Sequence, residues 1–292
     1  MKAVIIGAGN IGRRHAESIL KDCSVIRLDI VDPSGKALKQ TAKVLEQTVK
    51  TLHGYSPNIT LSKKVLTFGV YDVAIIATSA GERYEAIQSV KLRTKYLILE
   101  KFLFNSLKEY SIDLRHNITY VNCPRRVMGG YQQFKGSNPT IFYYGMEGLL
   151  SNTIHFADLL SYLTGNKIVS FDIDIDKKIR TKRWGYKDAK GRVIINCGGG
   201  LAYLSTTWGG KEKESFYCVN DHRINEEGRI ATLLDGTTQP FDFKYQSELT
   251  ASYLQDIQNK GICGLASYEE SRQWHMSFID QLRKEGWTKN IT

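Results

Sequence analysis

"MKAVIIGAGNIGRRHAESIL", residues 1–20, decides the fold. Residues 3–6 are apolar and rich in β-branched side chains, the pattern of a buried strand. Gly7-x-Gly9-x-x-Gly12 follows, and a helical run leads away from it. In such a turn the first glycine permits the tight bend and the second lets backbone approach a pyrophosphate. The third lets helix and strand pack closely. Unpaired N–H groups at the start of the helix then face the phosphates. Asn10 and Ile11, between the second and third glycines, are expected to share that contact.

The motif alone is weak, and the chain around it strengthens it. A second apolar run, "SVIRLDIVD", ends in Asp32, twenty-five residues after Gly7. A carboxylate there accepts hydrogen bonds from the adenosine ribose hydroxyls. It repels a 2′-phosphate, so NAD is expected ahead of NADP, although Lys36 nearby leaves NADP open. "YDVAIIATSAGERYEAIQSV", residues 71–90, reads as a strand, a small-residue loop with Ala77 and Thr78, and a helix. "TKYLILEKFLF", residues 94–104, is another buried strand, closing on Glu100 and Lys101. Strands alternating with helical stretches to about residue 120 predict a doubly wound parallel sheet.

The bulk properties fit two domains, or one large one. The 292 residues suggest this at roughly 100–200 per domain. A composition 42% hydrophobic and 24% charged excludes a disordered chain. No apolar run approaches the ~20 residues of a membrane helix. The first residues lack the apolar core and cleavage site of a signal peptide, so a cytoplasmic protein is expected. The cysteines, at positions 23, 123, 197, 218 and 263, are scattered singly. Without a C-x-x-C pair they indicate neither a zinc site nor a redox motif. The net charge of +10 favours acidic partners. The cations are spread along the chain, and no nucleic-acid motif accompanies them. Their nearest approach to a cluster, "DKKIRTKRWGYK" at residues 176–187, reads as a solvated strand–loop face.

"LLSNTIHFADLLSYLTG", residues 149–165, poses a second problem. At 100° per residue, Ser151, Asn152, His155, Asp158 and Tyr162 fall within an arc of roughly 120°. Leucines, Ile154 and Phe156 occupy most of the rest. Such a stripe on a buried helix needs partners or a wet cleft. Either Ser151 or Asn152 caps the helix and His155 is simply hydrogen-bonded, or the row is a chemical site.

Four segments carry a resemblance to a known family. "GAGNIGRRH", residues 7–15, resembles an opening G-x-G-x-x-G-x-x-H. "VAIIATSAGERYEAI", residues 73–87, resembles V-x-I-x-T-P…H, with Ser79-Ala80 and Tyr84 where proline and histidine are usual. "LEKF", residues 99–102, resembles E-K-P with Phe102 replacing the proline. "SNTIHFADLLSYLTG", residues 151–165, resembles the helix with N/D-x-x-(x)-H-x-x-D. Together they resemble the Gfo/Idh/MocA family of NAD(P)-dependent oxidoreductases over most of the chain. "VNCPRRVMGGYQQFK", residues 121–135, is most similar to a branch linked to bacterial surface polysaccharides and nonulosonic acids.

The resemblance implies a Rossmann domain at residues 1–121 and an α+β domain at residues 122–292. The second domain should carry an open, mainly antiparallel sheet, and the C-terminal helix is expected to pack back on the first. The outer sheet face implies a homo-oligomer, dimer or tetramer, with Tyr203 and Trp208 as candidate contacts. "KIVSFDIDIDKKI", "RVIINC", "GLAYLSTTW" and "ESFYCVN" have the required strand patterns. The "NCGGGLAYL" glycines read as a hairpin, since no helix follows them. Asp172, Asp174 and Asp176 alternate onto one strand face. They lack the glycine and glutamate of a calcium loop, so no metal is expected.

The resemblance also assigns chemistry. The catalytic histidine of the family falls on His155, which would take the hydroxyl proton while NAD takes the hydride. Lys101 would hold the same oxygen or polarise a carbonyl. Glu100 would orient Lys101 or contact the cofactor. Asp158 would tune the imidazole or hold a substrate hydroxyl, and Asn152 would help fix that geometry. Arg125 or Arg126 would bind a substrate carboxylate or phosphate. The expected substrate is a sugar, nucleotide-linked or an acidic amino sugar. Two alternatives are a non-catalytic NAD-binding regulatory subunit and a reductase of a non-sugar substrate, as in the biliverdin and dihydrodiol relatives.

Overall fold

The computed structural model describes residues 1–21, 24–51, 57–66, 69–145, 148–181, 185–206 and 216–291. The chain opens with β1 (Lys2–Ile6), α1 (Asn10–Ile19), β2 (Arg27–Val31), α2 (Gly35–Thr51) and β3 (Asn58–Ser62). β4 (Tyr71–Ile76), α3 (Arg83–Gln88), β5 (Thr94–Glu100) and β6 (Ile118–Asn122) continue the alternation. Next come α4 (Gly129–Gln132), β7 (Thr140–Tyr144), α5 (Leu149–Thr164), β8 (Ile168–Arg180), β9 (Lys187–Cys197) and β10 (Gly200–Ser205). After these lie β11 (Phe216–Val219), β12 (His222–Asn225), β13 (Ile230–Thr232) and β14 (Thr238–Pro240). The chain ends with α6 (Gln246–Lys260), β15 (Ala266–Ser267) and α7 (Tyr268–Lys284).

Two compact units result. The first comprises Met1–Phe104, Ser111–Asn122 and Lys244–Tyr268. The second comprises Asn105–Tyr110, Cys123–Phe243 and Glu269–Thr292. The chain thus crosses between them several times, whereas a single boundary after residue 121 was expected. The returning helix in the first unit is α6, while all of α7 after Tyr268 belongs to the second. The side chain of Ser18 on α1 accepts the backbone N–H of Ala251 on α6 at 2.9 Å, one of the ties that hold α6 there.

The first unit is a seven-stranded sheet in the order β15-β6-β5-β4-β1-β2-β3, parallel except for the short β15. Val4, Ile5, Ile30, Ile75 and Ile98 are wholly buried, as expected of strands covered on both faces. The strand order reverses between β1 and β4, so a crevice opens beyond their carboxyl ends, the place where such sheets bind ligands.

The second unit is an eight-stranded sheet in the order β14-β13-β12-β11-β7-β10-β9-β8. Among the described residues of its strands, only the β7–β10 pairing is parallel. Tyr143 on β7 packs against Phe156 on α5 with ring centroids 4.9 Å apart, so α5 lies against that face. The glycine-rich stretch after β9 is a hairpin, with Cys197 paired to Gly200. Asp172 and Asp174 are exposed on β8, but the pairing slips between Ile175 and Lys177, which places Asp176 in a bulge. Asp174 pairs with Arg192 at 3.2 Å, and no metal-ligating cluster occurs among the described residues. Among the described residues no helix is long and apolar enough to cross a membrane.

Candidate functional site

In the first unit the glycine loop has the geometry of a backbone cradle. Gly7 adopts φ +103°, which side chains disfavour, and a Cβ there would meet the Ala77 carbonyl carbon at 2.7 Å. A Cβ on Gly12 would overlap the Gly7 carbonyl oxygen. These two glycines are needed for packing. Gly9 is different, because a Cβ there would find nothing within 4 Å. Gly9 and Asn10 are exposed, and Ile11 is 44% exposed beside them.

Asp32 sits at the end of β2 with its carboxylate on this loop. Oδ2 accepts the N–H of Ala8 at 2.7 Å and Oδ1 accepts that of Ser34 at 2.8 Å. A carboxylate oxygen has a second lone pair to offer. Across the switch point, Ala77 and Thr78 form the turn after β4, and the Thr78 hydroxyl is buried without a protein partner. An open Gly9, a carboxylate held at the loop and an orphaned hydroxyl are what a bound dinucleotide would use.

Glu100 is more enclosed than expected. It is 8% exposed, and its Oε1 meets His15 Nε2 at 2.9 Å and accepts a hydrogen bond from Asn122 Nδ2. His15 Nδ1 in turn lies 2.8 Å from the Thr250 hydroxyl on α6. Burial pushes the Glu100 carboxyl up, but His15, Asn122 and Arg83 outweigh it and hold it below the usual range. Glu100 therefore ties α1 to the ends of β5 and β6. Lys101, the next residue, is half-buried, and the Lys101–Phe102 peptide is cis.

In the second unit the polar row on α5 divides. Asn152 and His155 are half-buried and reach the surface of the helix, while Asp158 is wholly buried. Asp158 binds Arg126, with Oδ2 3.0 Å from Nε and Oδ1 2.8 Å from Nη2. The other edge of the same guanidinium binds Glu270 at 3.1 and 3.3 Å. Burial pushes the Asp158 carboxyl up to about 7 against the pull of Arg126, and Glu270 adds to the push. The expectations for this pair are therefore corrected. Arg126, with both edges occupied and 6% exposed, has no fork left for a substrate anion. Asp158 is committed to that ion pair, with no opening to a substrate hydroxyl.

Arg125 is corrected for a similar reason. Its Nε and Nη2 lie 2.8 and 3.1 Å from the two oxygens of Glu226, which also accepts the Tyr131 hydroxyl. Its guanidinium stands over the rings of Phe156 and Tyr217, 5.0 and 5.9 Å from their centroids. Burial favours the neutral forms of both partners, yet mutual attraction wins and holds Arg125 above and Glu226 below its usual range.

The cap of α5 also differs from expectation. Neither Ser151 nor Asn152 supplies it. Asp188 on β9 does, accepting the N–H of Leu150 at 2.8 Å and of Ser151 at 3.3 Å. Gly148 precedes the helix with φ +83°, a left-handed turn that glycine makes without penalty. Arg83, buried at the start of α3, is a residue that sequence reasoning missed. Its only signal was a charge at the head of an otherwise ordinary helix.

No protein-family model matches the chain, and no curated protein matches it. Solved structures do. An oxidoreductase from Agrobacterium radiobacter, in complex with NAD+, L-tartaric acid and magnesium, matches with a TM-score of 0.64 at 14% identity, over 99% of this chain and 98% of its own. The UDP-N-acetylglucosamine 3-dehydrogenase GnnA from Acidithiobacillus ferrooxidans matches with a TM-score of 0.64 at 14% identity, over 96% of each chain. The WlbA dehydrogenase from Bordetella pertussis, in complex with NADH and UDP-GlcNAcA, matches with a TM-score of 0.63 at 14% identity, over 100% and 99%. At such identities the likeness is one of fold: a Rossmann-type unit joined to a unit built on a mainly antiparallel sheet.

Proposed function

We propose that the protein is an NAD-dependent oxidoreductase acting on a secondary alcohol or ketone of a nucleotide-linked or acidic amino sugar, in surface-polysaccharide synthesis. The observation that carries the cofactor is Asp32, whose carboxylate is held at the open glycine loop by the Ala8 N–H. The sugar is supported by two structural relatives whose names or ligands are UDP-sugars. The net charge of +10 agrees with an anionic substrate. Bound at the glycine loop, the nicotinamide would take or give the hydride. In the first unit, Lys101 offers an ammonium group to an oxygen that changes charge. In the second, His155 offers an imidazole suited to moving the hydroxyl proton near neutral pH.

The test is nicotinamide reduction in a panel of UDP-linked and acidic amino sugars, alongside calorimetry. NADH should bind more tightly than NADPH. Asp32→Ala should weaken NADH by roughly ten- to a hundredfold, the worth of charge-assisted bonds to a ribose, and narrow the gap. Tighter NADPH in the parent would remove Asp32 from its role. NADH binding with no turnover on any sugar would leave the cofactor site and sink the substrate.

The reading includes a homo-oligomer. On the sheet face away from α5, Tyr203 stacks on Phe142 at 5.0 Å and Phe142 on Phe216 at 5.5 Å. Arg223 extends the row over Phe216. All three aromatic residues are half-buried, and a second copy would cover them. Trp208, the other expected contact, lies outside the described residues. Sedimentation should give a dimer or tetramer, and Phe142→Glu should shift it to monomer. A monomeric parent at micromolar concentration contradicts this interface.

A further inference from the structure

Arg83 opens α3 and is 1% exposed. A guanidinium drawn so far out of water needs its donors satisfied. Its donors span two loops. Nη2 donates to the Thr78 carbonyl oxygen in the turn after β4. Nη1 donates to the carbonyl oxygens of Phe102 and, at 3.2 Å, of Leu103, in the segment after β5. Phe102, Leu103 and Phe104 are themselves buried. On the other flank of Lys101, Glu100 is fixed by His15 and Asn122. Lys101 is thus a half-buried residue between two anchored neighbours.

We propose that Arg83 is a positioning residue for Lys101, bolting the segment after β5 to the turn after β4. This rests on the reading of Lys101 as the cation that meets the reacting oxygen. The fork matters here: a planar guanidinium directs separate N–H groups at separate carbonyls, which a single ammonium cannot match. A proline after Lys101 would restrain that lysine's backbone through its own ring. Phe102 lacks that ring, and the Arg83 bonds supply an external hold in its place.

The test compares Arg83→Met and Arg83→Lys with the parent, each as the full chain. Four quantities are read: melting temperature, NADH affinity, kcat with KM, and amide exchange at residues 102–104. In Arg83→Met the amides at 102–104 should exchange faster by roughly tenfold or more, while those of β1 and β4 keep their protection. Turnover should fall by roughly 10²-fold, the cost of a misplacement near 1 Å, with KM little changed. Arg83→Lys should recover only part of the loss. Unchanged exchange at 102–104 overturns the hold. Faster exchange with unchanged kcat overturns its relevance to Lys101. A fall in kcat matched by an equal fall in folded fraction makes Arg83 merely structural and overturns the proposal. A parent that binds NADH yet turns over no sugar defeats the functional reading instead, and the exchange data still decide whether Arg83 holds the segment.

Discussion

His155→Ala is expected to lower kcat by roughly 10²–10⁴, the worth of a general acid–base group, and to leave the fold nearly intact. The two halves of that expectation come from one helix. α5 is held by Leu149, Leu150, Ile154, Phe156, Leu160 and Leu163, all wholly buried, and by the Asp188 cap. His155 adds little to that packing, because it is half-buried on the side where Asn152 also surfaces. Its loss should cost no more than about 1–2 kcal/mol of stability. NADH affinity should change little, since the glycine loop and Asp32 belong to the first unit. Lys101→Ala should lower kcat at least as much. Melting temperature and kcat measured on the same His155→Ala sample separate two readings. A destabilised protein with full turnover per folded molecule would make the imidazole structural.

What the sequence made legible was local. Three glycines within six residues and a carboxylate at the end of the next strand are one supersecondary unit, so their spacing carries their geometry. The second unit's strands were legible for the same reason, since alternation and glycine turns act over a few residues. What failed was pairing across the chain. The helical row of Asn152, His155 and Asp158 looks uniform on a wheel, yet burial divides it. The division comes from Arg126 and from Glu270, which is 144 residues beyond Arg126. Arg125 was offered to a substrate because Glu226, 101 residues away, has no signal in the local pattern. Asp188 caps a helix 38 residues earlier, where a capping search looks only at adjacent side chains. His15 and Glu100 were both picked out by motif, but only the fold shows that they bond to each other. Arg125, Arg126 and Asp158, chosen for chemistry, are engaged in buried ion pairs with partners far along the chain.

That distinction predicts the behaviour of Arg126→Met, which should destabilise the protein by about 3–5 kcal/mol at pH 8 and by much less at pH 5. Asp158 starts from an ordinary value of 3.8 and is pushed up to about 7 by burial, with Arg126 opposing. Between those values the folded chain holds a proton that the unfolded chain has released. The stabilising contribution is therefore complete below the lower value and is lost as pH rises through the upper one. Removing Arg126 removes the main opposing pull, so the folded value climbs further and the loss extends to higher pH. At pH 5 the carboxyl is neutral in both proteins, and the variant loses the Glu270 bonds and the contacts of the guanidinium with Tyr162 and Trp274. At pH 8 the parent keeps an ion pair, whereas the variant must bury a lone carboxylate or bind a proton from dilute solution. The melting-temperature deficit should therefore widen by roughly 10 °C between the two pH values. Adding Asp158→Asn to Arg126→Met should abolish the widening, because the buried carboxylate that Arg126 faces is then replaced by a neutral amide. KM for an anionic sugar should stay near that of the parent, since both edges of Arg126 are already bound to carboxylates. A deficit equal at pH 5 and pH 8 would mean that Asp158 is not the buried charge Arg126 serves.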